Sequence, residues 1–235
     1  EVSANEVETA DSIATQHLNN VTVTAVKSKA KVSTTTSVQM LSGEDLRSLG
    51  VQNAGDAVKH FAGSNVRDYG GIGGLKTVSV RNLGAAHTAV SYDGVAVSNC
   101  QAGQIDVGRF SLDNVSSLSL AVGHDDDLLQ SARLYASAGV VKIESEKPVF
   151  GKSNHSSELK LSGGSFGYVS PSIRHWQKLG EATSVVVNAN YLRADGQYPF
   201  VLENGKLTSV EKRKNSDIES YQGEVNVYHS FRASD

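Results

Sequence analysis

The chain has 235 residues, with 22 Lys+Arg against 25 Asp+Glu, a net charge of -3, and 39% apolar and 20% charged residues. That length allows one or two domains with real cores, and the composition excludes a disordered chain and the basic footprint of a nucleic-acid binder. A single Cys excludes a disulfide framework and a Cys-based zinc site, while 22 Gly and only 3 Pro suit a β-rich chain with many turns. No apolar run approaches the roughly 20 residues of a membrane helix. No basic n-region precedes an apolar stretch, so no signal peptide is expected, and the start at Glu1 reads as processed or engineered.

In chain order, the polar stretch from Glu1 to Asn20 predicts a mobile tail. Val21-Thr22-Val23-Thr24-Ala25-Val26 alternates apolar and polar residues and is rich in β-branched side chains, which predicts a strand or strand-like peptide. A polar bridge from Lys27 to Thr36 leads to a second short strand at Ser37–Leu41. Ser42 with Asp45 three residues on has the form of a capping box, Leu46 and Leu49 share one helical face, and Gly50 stands at the stop. Asn53 and Asp56 repeat the device, with Ala57, Val58 and Phe61 as the buried stripe and Gly63 at the end. Two short helices in series are therefore expected.

From Gly63 to Gly84 the chain is glycine-rich, and it feeds a strand at Thr77–Arg81. Ala89–Tyr92 is a further strand, and Asp93-Gly94 is the strongest hairpin signal in the chain, continued by Val95 and Val97. Leu112–Ser116 reads as one helical turn, Ser117–Val122 as an alternating strand, and Val140–Ile143 as the last strand before Pro148. The pattern is that of a small α+β domain with a mixed β-sheet and short helices.

After Pro148 no helical pattern remains. Leu159 and Leu161 alternate with Glu158, Lys160 and Ser162. Val185, Val187, Ala189 and Tyr191 alternate with Ser184, Val186, Asn188 and Asn190. Tyr221, Val225 and Val227 alternate with Gln222, Glu224 and Asn226. One face is apolar and the other carries amides and acids, as in outer-membrane barrel strands that are apolar toward lipid and polar toward the lumen. Lys178-Leu179-Gly180-Glu181 reads as a short turn and Gly196–Ser220 as a long polar loop, the two kinds of connection such barrels show on their two sides.

These features together resemble a TonB-dependent outer-membrane receptor: its N-terminal plug domain and the first few barrel strands. Leu18-Asn19-Asn20-Val21-Thr22-Val23-Thr24-Ala25 resembles the family's Ton box. Val66-Arg67-Asp68-Tyr69-Gly70-Gly71-Ile72-Gly73-Gly74-Leu75-Lys76-Thr77-Val78-Ser79-Val80-Arg81 resembles the plug's glycine-rich stretch, and Tyr92-Asp93-Gly94-Val95 its following hairpin. Gln104-Ile105-Asp106 to Leu112-Asp113-Asn114-Val115 resembles the approach to the last plug strands. The chain departs from the family at Arg81-Asn82, where Arg-Gly is usual, and at Leu134-Tyr135-Ala136-Ser137-Ala138-Gly139, where a Gly-Gly run is usual. Val122-Gly123-His124-Asp125-Asp126-Asp127 stands where an Arg-Gly-Pro turn is expected.

The resemblance implies a tail over 1–20, a plug over 21–148 and the first barrel strands over 149–235. The last stretch has room for about four strands of about ten residues, so a 22-stranded barrel cannot close within it and the chain reads as a fragment of a larger receptor. It also implies a Gram-negative outer-membrane location and active uptake of a scarce solute, with a metal chelate of the siderophore, haem or cobalamin class preferred because the Val23-Thr24-Ala25 form resembles those receptors. A glycan or peptide importer, or a signalling or adhesion receptor reusing the plug, is the alternative. The short stretch before Val21 leaves no room for the extra domain of a signalling member.

The implied partners are the periplasmic C-terminal domain of TonB, adding to Asn20, Val21, Thr22, Val23, Thr24 and Ala25 as a strand, a small-molecule ligand, and lipid. Ligand contacts are expected from Arg67, Asp68, Tyr69 and Lys76 in one apical loop and Asn99, Gln101 and Gln104 in a second. Leu159, Leu161, Val185, Val187, Tyr191, Val225 and Val227 are expected to face lipid.

Other signals read as structure. The glycine run at Gly70–Gly74 lacks the Lys-Ser/Thr ending and following helix of a phosphate loop. His124-Asp125-Asp126-Asp127 lacks calcium-loop spacing and reads as a solvated acidic turn, Cys100 as an inert small side chain, and the remaining His show no ligand spacing. No metal, cofactor or catalytic residue is expected, and the chain is not read as an enzyme.

Overall fold

The computed structural model describes residues 37–123, 129–151 and 153–231. The expected tail over 1–20, the Ton-box-like strand at 21–26 and the acidic turn at 124–127 lie outside the described residues.

Strand β1 (Ser37–Ser42) runs into helix α1 (Gly43–Ser48) through the expected capping box. Asp45 N donates to Ser42 Oγ at 3.2 Å and Ser42 N donates to Asp45 Oδ2 at 2.9 Å, which satisfies two of the helix's orphan donors. Helix α2 (Ala54–Val58) follows, capped by Asn53, whose Oδ1 accepts from Asp56 N at 3.0 Å. Ala54, Ala57 and Val58 are fully buried, and Phe61 packs just beyond the helix rather than within it.

Strands β2 (Ser64–Asp68) and β3 (Lys76–Val80) form an antiparallel hairpin. Strands β4 (Thr88–Tyr92) and β5 (Val95–Val97) form another across Asp93-Gly94, both at positive φ. A 3₁₀ turn at Val107–Arg109, strand β6 (Val115–Val122), helix α3 (Ala132–Tyr135) and strand β7 (Gly139–Ser145) complete this part. The helical turn expected at 112–116 is absent: that stretch is a turn opening β6, and the 3₁₀ turn lies earlier, where Asp106 caps Gly108 N. The five strands order as β1-β6-β7-β4-β5, with β4 and β7 parallel and the other pairs antiparallel. The main core lies between this sheet, the β2–β3 hairpin and the two helices, with Leu46, Val58, Val80, Leu118, Leu120, Val141 and Ile143 at its centre.

Gly139 packs tightly against that core. A Cβ there would stand 2.8 Å from Val80 Cγ2, and Val80 is itself fully buried. Gly139→Ala should therefore destabilise this domain by about 1–3 kcal/mol through overpacking, read as a lower urea midpoint at unchanged slope.

The second part is an antiparallel sheet of β8 (His155–Gly163), β9 (Val169–Lys178), β10 (Thr183–Ala194) and β13 (Ile218–His229), ordered β13-β10-β9-β8. The turn expected near Leu179 joins β9 to β10. Residues 195–217, expected as a loop, instead contain a hairpin of β11 (Pro199–Asn204) and β12 (Leu207–Lys212). The register puts Leu159, Ile173, Ala189 and Gly223 on one face and Lys160, Ser172, Asn190 and Gln222 on the other. The first face is the outward one: Leu159, Leu161, Val187, Val225 and Val227 are exposed on it, and Val185 and Tyr191 lie there partly covered. The four strands do not close. The fold is an α+β plug domain followed by the antiparallel strands of an incomplete barrel.

Candidate functional site

The glycine-rich loop between β2 and β3 is built from its own backbone. Asp68 Oδ1 accepts from Gly70 N at 3.0 Å and Gly71 N at 2.7 Å, and Tyr69 N donates to Leu75 O at 3.0 Å. Gly70 and Gly74 touch so closely that a Cβ on Gly74 would stand 2.5 Å from Gly70 Cα, so the loop cannot carry a side chain there. Burial alone would raise the Asp68 carboxyl. The two glycine N–H groups and the Lys76 charge outweigh it and hold Asp68 below its ordinary range. Arg67 and Tyr69 stand exposed on the loop.

Lys76 does not stand with them. It is 5% exposed, and its Nζ sits 2.8 Å from Asp56 Oδ1 and 3.8 Å from Asp68 Oδ2. Its stem runs between Gly55 and Gly108, where added Cβ atoms would come within 3.1 and 3.3 Å of it. Its backbone N donates to Asp106 Oδ1 at 3.0 Å. In the structure this side chain braces the loop's base against α2. Burial pushes the Asp56 carboxyl up, and the hydrogen bonds and charges of Lys59 and Lys76 more than reverse it, leaving Asp56 below its ordinary range.

In the second expected loop, Asn99 Oδ1 accepts from Gln101 N at 3.0 Å and Ala102 N at 3.1 Å, which folds the loop into a turn. Gln101 is exposed, Gln104 half-buried, and Cys100 exposed and free. Asp106, two residues on from Gln104, joins this loop to the first through Lys76 N. A cleft of about 880 Å³ separates the plug from the strands. Asp68 and Lys76 line it, whereas Arg67, Tyr69, Asn99, Gln101 and Gln104 do not.

The inward face of the strands is where the plug sits. Tyr92 Oη donates to Glu224 Oε1 at 2.8 Å, Ser145 Oγ lies 3.0 Å from Tyr228 Oη, and Lys160 Nζ donates to Asp113 Oδ1 at 2.8 Å. Arg174 Nη1 donates to Glu146 Oε2 at 2.6 Å and to Asp113 O at 3.2 Å, while its Nη2 donates to Glu158 Oε2 at 2.6 Å. Gln222 Nε2 donates to Arg109 O at 2.9 Å. Burial, and then the Glu224 carboxylate, raise the Tyr92 phenol far above its usual value, so it stays a donor at every physiological pH. Burial would raise Asp113, but Lys160 outweighs it and holds the carboxyl down.

On the outward face, Tyr191 and Tyr221 pack at 4.9 Å between ring centroids and both donate to Glu219, at 2.9 and 2.6 Å. At the opposite end of the sheet His229 and Phe231 pack edge to face at 4.6 Å. Along β13 Tyr221 and His229 are separated by roughly 20 Å once a strand rise of about 3.3 Å and a tilt of about 40° are allowed for.

Sequence reasoning missed Arg174, Glu146 and Tyr228 because β9 went unread. Its outward positions include Pro171 and His175, which break the apolar run. The available signal was Arg174 itself, a charge in mid-strand flanked two residues away on each side by Ser172 and Trp176.

Residues 30–132 match the family described as TonB-dependent Receptor Plug Domain. The vitamin B12 transporter BtuB of Vibrio vulnificus (strain YJ016) is 24% identical over 271 residues, 96% of this chain and 41% of that protein. Among solved structures, the FrpB iron transporter from Neisseria meningitidis superposes with a TM-score of 0.64 at 13% identity, covering 84% of this chain and 30% of that one. The copper transporter OprC gives 0.62 at 17% identity, covering 82% and 28%. The ferric enterobactin receptor of Pseudomonas aeruginosa gives 0.51 at 21% identity, covering 68% and 24%. The chain thus spans less than half the length of each of these relatives.

Proposed function

We propose that the chain is the plug domain and first barrel strands of a TonB-dependent receptor and that it serves the active uptake of a scarce metal chelate, of the siderophore, haem or cobalamin class, across an outer membrane. One observation carries the reading: the plug sits on the polar face of the strands while the apolar face, bounded by aromatic pairs, points away. An outward apolar face with aromatic side chains at both ends is the pattern of outer-membrane barrel strands. The relatives are named as transporters of vitamin B12, iron and copper and as a receptor for a ferric siderophore, which favours a metal chelate over a glycan or peptide.

In this reading Arg67, Asp68 and Tyr69, with Asn99, Gln101 and Gln104, form the plug's contribution to ligand capture. Asn20 to Ala25 offer TonB an alternating, β-branched segment for strand addition. The first described strand after that segment, β1, is an edge strand whose ladder partner among the described residues is β6, so a pull on the N-terminal side reaches the plug at an edge of its sheet.

The test is Thr22→Pro, with Val21→Pro as its companion, in the intact receptor. Proline removes a main-chain donor and blocks strand addition. Accumulation of labelled ferric chelates or cobalamin should fall to the level of cells without TonB, while binding at the cell surface stays unchanged. Equal loss of both would assign the segment a folding role. TonB-dependent accumulation of an oligosaccharide instead of every chelate would overturn the substrate class.

A further inference from the structure

We propose that Arg213 is a latch tying the long connection between β10 and β13 to the plug's glycine loop, so that hairpin and loop move as one body. Arg213 lies just after β12, at the foot of the β11–β12 hairpin. Its Nη1 donates to Gly70 O at 3.1 Å and to Tyr198 Oη at 3.1 Å, and its guanidinium stands 5.4 Å from the Tyr198 ring centroid. Its own backbone N donates to Tyr198 O at 3.0 Å. A charged donor on a carbonyl makes a bond roughly twice as strong as a neutral one.

A second contact lies beside it. Ile218, the first residue of β13, occupies the space that a Cβ on Gly73 would need. The glycines that let the loop fold thus also let the connection close on it. The root of the connection is stiff: Asp195 N and Gly196 N both donate to Phe166 O, at 3.0 and 3.2 Å, and Ser216 Oγ donates to the carbonyls of Asp195 and Gly196. The hairpin itself is exposed on both strands, and a two-stranded hairpin is marginal in water on its own. Its order therefore depends on what holds its foot. For transport, and resting there on the reading above, a plug drawn away from its seat would release the hairpin as well.

Amide hydrogen exchange on the intact receptor in detergent micelles tests the latch without ligand or TonB, so its outcome is independent of whether any chelate is transported. Arg213→Ala should speed exchange about tenfold in both 70–75 and 199–212, with β9 and β10 unchanged as the check on folding. Tyr198→Phe, which leaves the bond to Gly70, should affect only 199–212. Faster exchange in the hairpin alone, or in neither segment, for Arg213→Ala would overturn the proposal. If Arg213→Ala does not accumulate, Arg213→Lys carries the same comparison, because the shorter, non-planar ammonium loses the guanidinium's stacking on the Tyr198 ring and the fixed geometry of its two bonds. It should speed both segments to a lesser degree, and an unchanged 70–75 would again overturn the latch.

Discussion

In detergent-free buffer, a polypeptide of these 235 residues should self-associate, whereas one ending at Pro148 should remain a monomer. The longer chain carries β8 and β13 with one unpaired edge each, and between them a face with Leu161 75%, Leu159 67%, Val225 65% and Val227 64% exposed. Unpaired strand edges beside exposed apolar rows recruit further strands, from whatever chain supplies them. The shorter chain keeps its whole core, since every residue of the main cluster and of those packed against it falls between Leu41 and Ile143. Light scattering on the two should separate them, and detergent should return the longer one to a single-chain particle. A monodisperse longer monomer in plain buffer would mean that the strands form a face of a soluble sandwich.

The second large effect concerns Lys76. Lys76→Met keeps the stem that threads between Gly55 and Gly108 and removes the charge from Asp56. Breaking one side of a buried pair should cost on the order of 3 kcal/mol, the low end of the usual range, because Asp56 keeps 25% of its side-chain surface in water. The pH dependence identifies the cause. Asp56 titrates below its unfolded value in the folded plug, so its stabilisation is complete above the unfolded value and is lost as pH falls through the folded one. In the variant burial is opposed by Lys59 and the Asn53 amide without Lys76, so less of that stabilisation exists to lose. The parent and variant urea midpoints should differ most at neutral pH and converge below about pH 4. A gap that stays constant across that range would mean that Lys76 acts through the packing of its methylenes.

Where local chemistry decides structure, the sequence was readable. Ser42 with Asp45 and Asn53 with Asp56 mark the starts of α1 and α2 because each pair closes a cap within four residues, and Asp93-Gly94 fixes its hairpin by its need for positive φ. The alternation at Val185–Tyr191 and Tyr221–Val227 gave the two faces of the second sheet correctly. What failed depends on distant partners. Lys76 looks like a loop lysine until the chain brings Asp56 to it from twenty residues away. The β11–β12 hairpin was hidden because both its faces are exposed, so no burial imposes a period on its residues. The two polar loops were singled out through family resemblance alone, while the Arg174 bonds to Glu146 and Glu158 required the register of β8 against β9.

The way the plug meets the strands has a mechanical meaning. Tyr168, Val186 and Ala194 are the buried apolar residues of the strand region among those described, and none belongs to a core cluster. The contact itself is made of phenol, hydroxyl, amide, ammonium, guanidinium and carboxylate groups. Each such bond can be exchanged for one to water at a net loss of about 1 kcal/mol, or about 1.5–3 where a charge is involved. Ile218 against Gly73 is the apolar contact named above, and beside it the polar bonds dominate what holds the domain in place. Such a contact is that of a cork with a dry heart and a wet rim: rigid as an object, yet held by bonds that can each be exchanged for one to water.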